Sequence, residues 1–213
     1  MSDVILVIGD KNISSWSMRP WLALRHAGIP FQEVSVKLRQ EEKTRAAILP
    51  HSPSGLVPVV KVGGVTINES LGICEWAAER APHAGLWPDD WRARAMARSA
   101  ATEMHNGFPA VRRELSMDIL GRHPGVERSP ECEANIARIL EVWTAARAAF
   151  GQDGPFLFGR WSVADAMYAP VVTRFITYDV PLPAVATAYV EAMLADPHLQ
   201  EWIAGARAEV AGA

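Results

Sequence analysis

Three short stretches of this chain carry residue types that could do chemistry. The first is Asn12-Ile13-Ser14-Ser15-Trp16-Ser17, between an apolar run and a helical pattern. Ser17 reads as that helix's cap, the usual role of a serine there. Ser14 and Ser15 lie upstream and are freer to meet a ligand. A hydroxyl beside a helix start sits where anions are stabilised. The second stretch is Gly55-Leu56-Val57-Pro58-Val59. Proline can open a strand because it has no N–H to give to the ladder. The Val57–Pro58 bond is open to either isomer, cis costing about 0.5–1 kcal/mol. A cis bond would turn the Val57 N–H and C=O outward, where an extended peptide could pair with them. A trans bond would leave an ordinary edge proline. The third stretch is Asn68-Glu69-Ser70-Leu71. Ser70 and the free N–H groups of a helix start suit a carboxylate, and Glu69 suits an ammonium. Side by side they describe a site for an amino-acid terminus. The plainer reading is a helix capped by Ser70 with a solvated Glu69.

These stretches need a scaffold, and the patterning supplies one. Val4–Ile8 is a short apolar run, as a strand covered on both faces should be. A helix follows to about Ala27, with Pro20 expected in its first turn and Gly28 and Pro30 as its stop. Phe31–Val36 alternates like a strand, and Glu41–Leu49 reads as a weak helix. Val57–Val62 and Val65–Ile67 flank Gly63-Gly64, the pattern of a hairpin. A helix then runs to Arg80. A β-α-β unit followed by a hairpin gives a mixed four-stranded sheet with helices. Residues 82–90 hold Pro82, Gly85, Pro88 and two aspartates, and read as a linker. From 91 to 213 strand signals fade and helical spacing takes over. The expected organisation is an α/β domain over 1–81 and an all-helical domain over 91–213.

Bulk properties narrow the class. The 213 residues are 49% hydrophobic and 21% charged, with a net charge of −3. That composition argues for a globular chain and against a basic nucleic-acid footprint. The acidic start Met1-Ser2-Asp3 and the short apolar run after it predict no export signal. No run reaches the ~20 apolar residues of a membrane span. Cys74 and Cys132 form no bridge ladder and no metal spacing, which fits a reducing, cytoplasmic compartment. No metal is expected.

Together the three stretches resemble the glutathione transferase family. Ser14-Ser15-Trp16-Ser17-Met18-Arg19 is similar to the serine motif of its zeta class, Val57-Pro58 to its cis-proline, and Glu69-Ser70 to its γ-glutamyl-binding pair. Ser162-Val163-Ala164-Asp165 is similar to a helix-capping motif of the family's second domain. The resemblance implies a thioredoxin-like first domain, a homodimer and glutathione as cosubstrate. It assigns Ser14 to the glutathione sulfur with Ser15 supporting it. Val57, beside Pro58, would pair with the cysteinyl backbone, and Glu69 and Ser70 would hold the γ-glutamyl end. The chemistry is sufficient. A free thiol of pKa near 8.5 is only about 3% thiolate at pH 7. A two-unit drop takes roughly 2.7 kcal/mol, and one hydrogen bond to a charged group supplies about 1.5–3. No His–Asp pair accompanies Ser14, so the thiolate is the nucleophile, not the serine.

Three departures from the zeta pattern matter. Trp16 stands where zeta chains carry Cys, and Trp21 where they carry Arg. Leu56 has no side-chain donor, so the glycine carboxylate of glutathione needs another partner: Lys43, with Arg39 and His51 as alternatives. For the electrophile, His105, Phe108 and Arg112 are spaced i, i+3 and i+7, one face of a helix that Gly107 and Pro109 would loosen. Trp16 would line the same cleft. The expected function is conjugation of glutathione to a small electrophile. The alternatives are a maleylacetoacetate-type cis–trans isomerase and a non-enzymatic binding module on the same fold.

Overall fold

The computed structural model describes residues 3–212; Met1 and Ser2 of the acidic start lie outside them. The chain runs β1 (Ile5–Gly9), α1 (Ser15–His26), β2 (Gln32–Val36), α2 (Glu42–Ile48), β3 (Val59–Val62), β4 (Val65–Asn68) and α3 (Ser70–Arg80). After a short 3-10 turn at Pro82–Ala84 come α4 (Trp91–Asn106), α5 (Pro109–Glu114), α6 (Pro130–Phe150), α7 (Val163–Thr177), α8 (Ala184–Ala195) and α9 (Pro197–Ala211). The sheet order is β2-β1-β3-β4, with β1 parallel to β2 and antiparallel to β3. This is the mixed sheet that the β-α-β unit and hairpin require. Gly63 and Gly64 sit at φ 54° and 77°, which the two-residue turn between β3 and β4 demands and only glycine adopts cheaply.

Register brings the three stretches to one end of the sheet. Val7 faces Val59 across β1–β3, and Val59 faces Asn68 across β3–β4. Continuing both ladders by two residues lines up Gly9, Val57 and Ser70. The last residue of β1, the approach to β3 and the start of α3 are therefore neighbours.

One large apolar core spans the sheet's inner face and the helices: Leu6, Ile8, Leu22 and Ile73 pack in the same cluster as Trp143, Tyr168 and Trp202. Helix α1 packs on both α3 and α7, so the serine-bearing helix lies against the all-helical part. Trp143 and Trp202 are buried as expected, and Trp76 is half-buried. At the start of α7 the Asp165 carboxylate accepts from the Ser162 N–H (2.8 Å) and, through its other oxygen, from the Leu157 N–H (3.1 Å). Burial outweighs those bonds and raises the Asp165 carboxyl to about 6. No helix among the described residues is long and apolar enough to cross a membrane.

Candidate functional site

Helix α1 begins earlier than its serines suggest. Residues 10–14 form a turn closed by the Ile13 and Ser14 N–H groups on the Asp10 carbonyl (3.2 and 2.8 Å). The helix therefore starts at Ser15, Ser14 occupies the cap position, and Ser17 falls in the first turn. Ser17 is not the cap. Its Oγ accepts from the Gly9 N–H (3.1 Å) and from the Ser14 hydroxyl (2.8 Å), tying the helix to the end of β1. Pro20 moves with the boundary into the second turn. No side chain caps this helix. The N–H groups of Trp16 and Ser17 have no partner among the described residues. Neither does the Ser15 hydroxyl. The result is a helix start with open donors and two buried serines.

The Val57–Pro58 bond is cis. Val57 makes no backbone–backbone hydrogen bond to a described residue, so its N–H and C=O are available to an added strand. Leu56 is exposed, and Lys43 is exposed on α2 with no side-chain partner. A different residue of α2 reaches this loop. Gly55 has φ +67°, and a Cβ there would come within 2.6 Å of Arg45 Nη1. The guanidinium thus lies over the loop that presents Val57.

At the third stretch Glu69, not Ser70, is the cap. Its backbone sits at φ 78°, unusual for a side-chain-bearing residue. Its carboxylate accepts from the Ser70 N–H (2.7 Å), the Ser70 hydroxyl (3.1 Å) and the Leu71 N–H (3.2 Å). The donors suited to a ligand carboxylate are thus held by the protein's own. His105 Nε2 lies 3.4 Å from Glu69 Oε1. Burial, with Arg19 and Arg112 nearby, lowers the His105 pKa against the opposing pull of Glu69.

The acceptor residues assemble around Trp16, which is 38% exposed. His105 meets its ring edge-on at 5.3 Å. The guanidiniums of Arg19 and Arg112 lie over it at 4.4 and 5.0 Å. The helix expected through 103–112 is broken: α4 stops at Asn106, Phe108 takes φ +60°, and Pro109 starts α5. Phe108 is buried in the core and does not form an aromatic wall. Arg112 folds back over the break and donates to the carbonyls of Gly107 (2.9 Å), His105 (3.3 Å) and Met104, leaving Nη1 unpaired.

Behind Trp16 lies an unusual charge arrangement. Arg19 is fully buried, and none of its three guanidinium nitrogens has a hydrogen-bond partner among the described residues. Arg174, on α7, is also buried with Nε and Nη1 unpaired. Burial, then the neighbouring Arg112 and Arg174, lowers Arg19 to about 9. Burial and Arg112 lower Arg174 to about 10. A buried cation without a partner is costly, so this cluster is poised for an anion. Ser15 and Arg19 are four residues apart on α1 and share a face.

Sequence reasoning passed over Arg174 and Arg45. Arg45 could have been found as one of the cations on α2. Arg174 sits in an apolar helix far along the chain and carries no local signal. No group of metal-ligating side chains occurs among the described residues.

A mixed four-stranded sheet with an uncapped helix start at one end, joined to an all-helical half, defines a thioredoxin-like domain followed by a helical one. Residues 13–80 match the family description "Glutathione S-transferase, N-terminal domain", and residues 89–205 match "Glutathione S-transferase, C-terminal domain". The chain belongs to the glutathione transferase family. It is 32% identical over 175 residues to maleylacetoacetate isomerase of Mus musculus, covering 81% of this chain and 78% of that protein. It is 25% identical over 173 residues to maleylpyruvate isomerase of a Ralstonia species, covering 79% and 82%. Its fold is shared with a Burkholderia glutathione transferase homologue solved with bound glutathione: TM-score 0.70, 23% identity, 96% and 97% of the two chains.

Proposed function

We propose that this protein binds glutathione, stabilises its thiolate with Ser14 supported by Ser15, and conjugates it to a small electrophile bearing a carboxylate. The observation that carries this reading is the uncapped start of α1, where both serines and the free Trp16 and Ser17 N–H groups face the same sheet end as Val57 and Ser70. The Ser14 hydroxyl donates a hydrogen bond to Ser17 Oγ. A thiolate is the stronger acceptor. Reversing that bond lets Ser17 donate to Ser14 while Ser14 donates to sulfur, and the Gly9 N–H polarises the chain behind it. Val57 pairs with the cysteinyl backbone beside Pro58. Ser70 takes the γ-glutamyl carboxylate once Glu69 releases it and turns to the ammonium. Arg45 is better placed than Lys43 for the glycine carboxylate.

The arginines give the acceptor its chemistry. Arg19, Arg112 and Arg174 have unpaired nitrogens and no carboxylate hydrogen-bonded to them, so an acid satisfies them better than a neutral aryl compound. Trp16 lies against His105, Arg19 and Arg112. A second reading has support from the relatives named as isomerases and from the same arginines: glutathione adds to an unsaturated diacid, and then leaves after bond rotation. Turnover of an aryl halide and of maleylacetone, each with the parent protein and Arg174→Ala, tests both. The expected result is a roughly tenfold or larger loss on the acidic acceptor and little change on the aryl halide. Equal losses on both would sink the acid-specific role of Arg174. Release of unchanged glutathione with an isomerised product would select the second reading.

The same proposal includes a second copy of this chain as partner. The exposed Trp91 on α4 and Val65 on β4 are apolar groups such a partner would cover. Two buried unpaired cysteines support a reducing, cytoplasmic compartment. The division at residues 82–90 separates the glutathione-binding part, 1–81, from the helical part, 91–213.

A further inference from the structure

The turn that carries Ser14 is held from the helical half of the molecule. Lys11 and Asn12 lie in that turn, and both bond outward. The Lys11 N–H donates to Glu209 Oε2 (2.8 Å), and the Lys11 carbonyl accepts from Trp202 Nε1 (2.9 Å), both on α9. Asn12 is held more completely. Its Nδ2 donates to Asp118 Oδ1 (2.9 Å), its Oδ1 accepts from the Leu120 N–H (3.0 Å), and its carbonyl accepts from the Ile119 N–H (3.2 Å).

The 116–120 segment belongs to no helix or strand. The end of α7 holds it by hydrogen bonds. The Tyr178 hydroxyl donates to the Ser116 carbonyl (3.0 Å) and the Thr177 hydroxyl to the Asp118 carbonyl (2.8 Å). The His123 N–H bonds the Thr177 carbonyl (2.7 Å), and His123 Nε2 meets Asp118 Oδ2 (2.9 Å). Arg174 lies one turn before Thr177 on the same helix. A chain of bonds therefore runs from the arginine-bearing end of α7, through Asp118, to the residue two before Ser14.

We infer that Asn12 is a positioning residue for thiolate stabilisation, setting the Ser14 turn against a thiol whose peptide backbone is held elsewhere, at Val57. The inference rests on the serine reading above. A hydrogen bond weakens steeply as its geometry departs from the optimum. A turn free to shift would keep glutathione bound but lose the bond that lowers its thiol pKa. Asn12 touches neither glutathione nor the electrophile; it acts through Ser14.

The test uses the full-length protein and glutathione itself. The thiol pKa of bound glutathione is read from thiolate ultraviolet absorbance against pH, alongside glutathione Kd, kcat and Tm. Asn12→Ala is expected to raise the bound thiol's pKa by about one unit and lower kcat at neutral pH about tenfold. Glutathione Kd should change less than about threefold. Asp118→Ala should act in the same direction, and the double variant should add nothing further. The sign is diagnostic, because deleting a carboxylate by charge alone would lower a neighbouring thiol's pKa. A fallen Tm with an unmoved thiol pKa overturns the inference, as does a downward shift in Asp118→Ala. If Asn12→Ala does not fold, Asp118→Ala decides alone. Ser14→Ala separates the two levels. If Ser14→Ala and Ser15→Ala both leave the thiol pKa unchanged, the serine reading fails. If Asn12→Ala still shifts the pKa in a Ser14→Ala background, the serine reading stands but the route through Ser14 is wrong.

Discussion

Two helix starts meet at one end of the sheet, and they are in opposite states. At α3 the Glu69 carboxylate occupies the N–H groups of Ser70 and Leu71 and the Ser70 hydroxyl, held there by a left-handed backbone. At α1 no side chain caps the helix, and the Trp16 and Ser17 N–H groups are unpaired. Both ends carry the positive potential of a helix start. One holds a carboxylate belonging to the protein; the other has donors unpaired among the described residues. The difference separates two tasks. A site holding its own carboxylate can exchange it for a ligand carboxylate at little net electrostatic change, which suits binding. An unfilled site gains most when a new negative charge forms on it, which suits generating a thiolate.

The sharpest way to break this comparison is Ser14→Ala. Loss of one charge-assisted hydrogen bond should cut turnover roughly ten- to a hundredfold and raise the bound thiol's pKa by about one to two units. Glutathione affinity should barely move. A large loss of affinity with an unchanged thiol pKa would reverse the roles assigned to the two helix starts. Next in size, Glu69→Ala should weaken glutathione roughly tenfold in a binding titration while leaving the thiol pKa in place. Tighter binding would mean Glu69 only competes for the site.

The smallest effect concerns His105, between the two regions. Its pKa is lowered in the fold, so the unfolded chain takes up the proton first as pH falls. Stability from this group is present above the unfolded value of about 6.5 and is lost as pH drops below it. Thermal melts of His105→Gln should therefore fall less than the parent's between about pH 7 and about pH 5.5. A parallel fall would show that folding does not lower the His105 pKa.

Much of this was legible in the residues. The apolar run Val4–Ile8, the Gly63-Gly64 turn and the proline-rich 82–90 stretch are local signals, and local signals suffice to order a β-α-β unit, a hairpin and a run of helices. Cap positions were less legible. Ser17 and Ser70 are good caps by type, but Ser14 and Glu69 hold those places. The Asp10 turn starts α1 early, and the Glu69 side chain reaches the α3 donors itself. The 103–112 helix fails for a related reason: spacing places Phe108 beside His105, whereas Pro109 and a left-handed Phe108 restart the helix and send that ring inward.

The sequence alone determined which residue types meet at the sheet end. The β-α-β unit and the hairpin follow from the chain pattern, and the pairing of β1 with β3 then brings Gly9, Val57 and Ser70 to neighbouring positions. Only the tertiary structure decided what surrounds them. Arg19 is only the last residue of a serine motif until α1 packs on α7 and buries it with Arg174, more than 150 residues away in sequence. Asn12 reads as one loop residue among several until the 118–120 segment closes on it. Helical spacing reports which face a residue shares, but the cost of an unpaired buried charge depends on every group packed against it. That environment is assembled from distant parts of the chain, and no local pattern encodes it.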